Sequence, residues 1–336
     1  MIELQRDRLI FSFPEIHKEA SIAISLQRTL RVPDDGFKYA LPPGLGDFPI
    51  KHVDDFAQRV PKKWIEHGGV MLPMYQSEAM WLNFSSSSLN GRSYPFAIRV
   101  LTGKIDAISG EPYQSGLHRN PQNYIVSPGQ LWLDGYCVGK GVVRQFVAMP
   151  LGEGYTAEEQ ITGSDEHGGV QIVVYPMKKE VFEKRFPKRD HSVMARRSLG
   201  AAPCPDFEMG IAPGGQIDQQ IFADPFNPDD WDEASSRCFV HIVNSKVWRQ
   251  ITLKRPPMKP PTAKEYTKAG LPWFDYYDDQ LSELEGTEPL ERLLSANTLK
   301  RLWTGKQLKG NESCDPKVVI SIRKGLRKDQ VRESDL

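Results

Sequence analysis

A pentapeptide that occurs twice, one hundred residues apart, constrains this chain more than any other feature. Glu-His-Gly-Gly-Val stands at Glu66–Val70 and again at Glu166–Val170, each time opening a run of alternating side chains. In a strand, residues two apart share a face. The second run puts Val170, Ile172 and Val174 on one face, with Gln171, Val173 and Tyr175 opposite. The first puts Val70, Leu72 and Met74 together, with Met71, Pro73 and Tyr75 opposite. Paired glycines at a strand entrance allow a positive φ or the close approach of another segment. The two runs are therefore expected to be equivalent strands in two related sheets. Pro73 marks the first as an edge strand or one that ends early. The second belongs to the stretch Leu131–Lys178, three strand-like runs divided by glycine-rich turns.

Other segments extend the same pattern. In Ala20–Pro33, Ile22, Ile24, Leu26, Leu30 and Val32 form one face, broken only by Arg28, which is expected near an edge. Ser236–Asn244 alternates likewise, with Cys238, Val240 and Ile242 opposed to Phe239, His241 and Val243. Glycine and proline number 27 and 26, favouring turns and short strands over long helices. Short helices are expected near Val53–Glu66, interrupted at Pro61, and over Lys178–Phe186. Another opens on a Thr262–Glu265 capping box. The fold expected is mainly β, with α+β as second choice. Antiparallel sheets pack as a sandwich, with few short helices and a C-terminal arm. The expected divisions are a β-rich subdomain over 1–120 and a second over 121–260. A helical and aromatic arm follows over 261–310, then a charged tail over 311–336.

Equal numbers of basic and acidic residues, 43 each, argue against a whole-protein footprint for nucleic acid. The N-terminus lacks the apolar core of a signal peptide and no run is long enough to span a bilayer, so a cytoplasmic location is expected. Four separated cysteines form no CxxC pair, and seven histidines match no metal-ligand spacing, so neither a metal nor a cofactor is expected. Walker, GxSxG and GxGxxG signatures are absent. Cys238 and His241 fall on opposite strand faces and so do not form a dyad. Candidates for acid–base chemistry are His67 together with Asp165, Glu166 and His167, beside the two glycine pairs. The run Lys178–Arg197 is basic and holds Lys184, Arg185, Lys188 and Arg189, a candidate phosphate-binding patch. Asp224–Glu233 is rich in carboxylates but misses the EF-hand spacing. Trp273, Phe274, Tyr276 and Tyr277 crowd an acidic stretch. They serve either a partner interface or the docking of the arm on its own domain. Residues 275–292 are acidic and 300–332 basic.

The runs GGVMLPMYQSEAMWLNF, RQFVAMPLGEGYT, GGVQIVVYPM and AGLPWFDYYD resemble a group of soluble bacterial and fungal proteins to which no activity is assigned. The resemblance extends to about residue 295 and implies one recurring architecture rather than a chance fusion. Three readings of function remain. The first is a non-catalytic structural or interaction protein, with itself or another protein as partner, assembling through β edges, aromatics and opposite charge blocks. The second is a hydrolase built from dispersed histidines and carboxylates. The third is a binder of a phosphate-bearing partner.

Overall fold

Alternation becomes structure first at Ile22, Ile24 and Leu26, whose side chains are wholly buried in one core. The computed structural model describes residues 1–86, 88–89, 92–187, 208–278 and 280–322, with backbone alone at 88 and 89. The principal strands, in chain order, are β1 (Ile2–Gln5), β2 (Arg8–Ser12), β3 (Ser21–Thr29), β4 (Val70–Met74), β5 (Ala79–Ser86), β6 (Phe96–Thr102), β7 (Gly135–Gly139), β8 (Val142–Pro150), β9 (Val170–Pro176), β10 (Glu208–Asp218), β11 (Ser236–Asn244), β12 (Trp273–Asp275) and β13 (Val319–Ser321). Strand exceeds helix by 37% to 18%, so the molecule is mainly β.

Antiparallel ladders run β1–β2–β3–β5–β8–β10–β11–β9–β6. Strand β7 shares with β5 one edge of β8. Strands that are not ladder neighbours also meet across the core. The Tyr136 hydroxyl on β7 lies 2.7 Å from Thr102 Oγ1 on β6 and donates to the Ile211 carbonyl on β10 at 3.1 Å. The expected boundary near residue 120 does not divide this network. Ladders β5–β8, β6–β9 and β4–β11 all cross it, and a single core draws on both sides.

The two copies of the pentapeptide correct a second expectation. They are not equivalent strands in separate sheets; they enclose one strand. Val240 of β11 pairs with Val170 of β9 in antiparallel register on one edge and with Val70 of β4 in parallel register on the other. Gly68, Gly69, Gly168 and Gly169 all have positive φ. A Cβ on Gly69 would collide with the Phe239 carbonyl, and one on Gly169 would lie 2.6 Å from the Val240 carbonyl oxygen. The glycines are thus needed because each turn presses against β11 as its strand begins. Pro73 fits its place: among the described residues only Lys51 and His52 pair with the outer edge of β4, opposite Met71 and Val70.

Seven short α-helices are found among the described residues: α1 (Lys62–His67), α2 (Ala157–Thr162), α3 (Lys179–Arg185), α4 (Ser245–Thr252), α5 (Ala263–Lys268), α6 (Glu288–Glu291) and α7 (Ala296–Thr304). Helices α1 and α4 bury Trp64 and Trp248 with Met71 and Val243 in a second core, so β4 and β11 are covered on both faces. The expected capping box at Thr262 is present, with Thr262 and Glu265 exchanging side-chain and backbone bonds. The C-terminal arm is held against the sheet: β12 pairs in parallel with β13, and Phe274 exchanges backbone bonds with Leu41.

Candidate anion-binding cleft

The cleft begins with the residue that breaks the alternation of β3. Arg28 is not near an edge; it is buried, and its guanidinium donates to Glu78 Oε1 at 2.7 and 2.9 Å. Glu78 Oε2 accepts the Tyr75 amide at 2.8 Å, so the carboxylate fixes the Gln76–Glu78 turn between β4 and β5. Burial raises the Glu78 carboxyl, opposed by the Tyr75 amide and by Arg28. Such a pair holds geometry more than it adds stability, because desolvation offsets much of the attraction. Arg28 also donates to the Met258 carbonyl at 2.6 Å, tethering the segment that leads into α5. Arg31, just beyond β3, donates to the Lys309 carbonyl at 2.6 Å and so ties down the loop after α7. That loop is fixed again where the Leu308 amide donates to Asn297 Oδ1 at 2.9 Å.

Between these tethered segments lies a cleft of about 430 Å³. Arg31, Lys259, Lys300, Lys306 and Lys309 line it, against one carboxylate, Glu78, already held by Arg28. Burial pulls the Arg31 guanidinium down to about 10, opposed by Asp34 and Glu312, which leaves it a cation at neutral pH. None of the four lysine ammonium groups forms an ion pair or hydrogen bond among the described residues. Like charges gathered in a concave site repel one another and attract an anion. The lining holds no aromatic ring on which a base could stack, and its most conspicuous feature is its positive charge.

The residues singled out in the sequence fall elsewhere. His67 and His167 do come together, with ring centroids 6.4 Å apart at the two glycine turns. His67 stacks on Phe239 at 4.8 Å and lies 6.0 Å from His241, which stacks on Trp64 at 4.4 Å. His67 is exposed, Asp165 faces solvent, and Glu166 lies 3.8 Å from His167 with its side chain 74% exposed. Burial lowers the imidazoles of His67 and His167, and the ammonium groups of Lys104 and Lys63 act in the same direction. The cluster is a ring stack bracing β11, with its carboxylates turned to water.

Of the basic run, Arg185 is engaged by Asp230 at 2.6 Å and by the Phe226 ring at 5.3 Å. Lys184 is exposed on α3, while Lys188 and Arg189 lie outside the described residues. The acidic loop is likewise occupied by its own neighbours. Asp224 accepts from the Tyr124 hydroxyl at 2.6 Å and Trp231 Nε1 at 2.9 Å, and meets Arg119 at 2.9 Å. Trp273 is fully buried beside Tyr39 and is not on a surface. Phe274, Tyr276 and Tyr277 are half-buried, Tyr276 edge-on to Trp132 at 5.1 Å. Trp273, Phe274 and Tyr276 pack the arm against the core of its own domain. Sequence reasoning missed the lysine cleft as a constellation. Its one visible trace was the basic character beyond residue 300.

No helix among the described residues is long and apolar enough to cross a membrane. No protein-family model, curated protein or solved structure matches the chain.

Proposed function

We propose that the protein binds a small, multiply charged anion, of the phosphate-bearing class, in the lysine cleft. The observation that carries this reading is the convergence of four lysines with Arg31 on a concavity of about 430 Å³. The reading keeps the phosphate-bearing partner expected from the sequence and moves it from residues 178–197 to a site built from five distant segments. A diphosphate places two charges where several ammonium groups can reach them, and charge-assisted hydrogen bonds are the stronger class. The absence of an aromatic wall favours a compact polyanion over a nucleobase.

Titration calorimetry with inorganic pyrophosphate tests it, with citrate as the carboxylate control and two salt concentrations. Saturable binding is expected, stronger for pyrophosphate than for citrate, and weaker in high salt because partly exposed charges are screened. Lys259→Ala and Lys306→Ala, both exposed, should each weaken binding by about tenfold, some 1.4 kcal/mol. An unchanged affinity in the double variant, or no binding of either anion, overturns the proposal.

A further inference from the structure

A second cleft, of about 260 Å³, opens between the Leu41–Gly44 loop and the arm. Its lining includes the rings of Trp81, Trp132 and Phe274, the aliphatic Leu41, Pro42 and Ile322, and Asp134. Asp134 is 2% exposed. Its carboxylate accepts from Gln219 Nε2 at 2.9 Å and from the Trp132 side chain, both neutral donors. No cationic side chain acts on it among the described residues. Buried acids are ordinarily paired with a positive group, because a lone carboxylate in a low-dielectric setting is costly. One further group lacks its partner: the buried Trp81 Nε1 donor has no acceptor among the described residues.

We propose that this cleft binds the head of a small organic ammonium compound, with the three rings as its cage and Asp134 as its counter-charge. Aromatic faces attract cations through their negative quadrupoles, and desolvation strengthens the attraction. The ligand supplies the positive charge that the fold leaves out beside Asp134. The free N–H of Trp81 calls for an oxygen on the same ligand, as in an amino alcohol or a betaine. A sugar would offer oxygens but no cation, and the walls here are rings and aliphatic side chains with few polar atoms. This site is separate from the lysine cleft and carries the opposite charge preference.

Calorimetry with choline, and with its uncharged carbon isostere 3,3-dimethylbutan-1-ol, tests the proposal. Choline should bind saturably at millimolar concentrations, and the isostere about tenfold or more weakly, since shape is kept and charge removed. Asp134→Asn should lose a similar factor. Trp81→Phe keeps the ring and should lose only a few-fold, a second variant in case Asp134→Asn fails to fold. Equal affinity for choline and its isostere refutes the cation preference. An undiminished affinity in folded Asp134→Asn, or no saturable binding of choline, refutes the site.

Discussion

Replacing Asp134 with asparagine should make the protein's stability less sensitive to alkali, by an amount set by burial. Burial pushes the Asp134 carboxyl from its usual 3.8 up to about 7. With no cation bound in the cleft, the folded state up to about pH 7 keeps a proton that the unfolded chain has already released. Stability from this group is complete below the unfolded value and falls as pH rises to the folded value. That rise corresponds to about 4 kcal/mol once the group is ionised in both states. Some 3 kcal/mol of that is lost between about pH 5 and about pH 8. Asparagine carries no charge at either pH, so it escapes the loss. It does replace one acceptor with a donor facing the Trp132 side chain, a constant cost of about 1 kcal/mol. The difference in melting temperature, variant minus wild type, should therefore rise by about 4 °C from the lower pH to the higher for a chain of 336 residues. Other titrating groups are common to both proteins and cancel. Calorimetric scans at the two pH values, without ammonium ligands, make the measurement. Parallel profiles for the two proteins would show that Asp134 is not a buried, uncompensated acid.

Other consequences of the structure can be checked separately. Arg28→Met should destabilise by about 3–5 kcal/mol in denaturant titration, because Glu78 is left buried without its cation; adding Glu78→Leu should recover much of that loss. Gly69→Ala, at φ +89 and against the Phe239 carbonyl, should lower the melting temperature strongly, whereas Ala at the open Gly163 turn should cost far less. The buried His241, pushed down to about 3 by desolvation, should show no imidazole titration by NMR between about pH 5 and pH 8. Its neutral ring uses Nε2–H to donate to the Gly68 carbonyl at 3.1 Å, and its contribution to stability holds above the ordinary histidine value and is lost as pH falls toward the folded one. Cys137 and Cys238, both raised to about 12 by burial, should resist thiol reagents until the protein unfolds.

What the sequence reveals about this protein depends on how far apart the cooperating residues stand. Alternation in Ile22–Leu26 and in Cys238–Ile242 is a local signal, and those side chains do reach the core. Thr262 and Glu265, three apart, likewise announce a helix start that is present. Arg28 reads as an interruption because its partner, Glu78, lies fifty residues on; only the ladder between β3 and β5 brings them together. The lysine cleft is less legible still, since it joins residue 31 to residues near 259 and 306 through tethers such as Arg31 to Lys309. Asp134 had one local mark, an acid within the apolar run Leu131–Val138, which is how a buried carboxyl looks before its surroundings are known. The glycine repeat shows the limit most plainly. Its positive backbone angles were readable, but the strand between its two copies was not.

That enclosed strand also sets an order of events during synthesis. Strand β11 leaves the ribosome long after β4 and β9, yet it is the piece that fits between them. A nascent chain that stops short of residue 236 carries two strand edges with their shared neighbour missing. Unpaired edges recruit other strands, and pairings this distant in sequence form slowly. Until β11 arrives, those edges leave the chain open to misassembly. A truncation ending just before Ser236 should aggregate where the full chain does not.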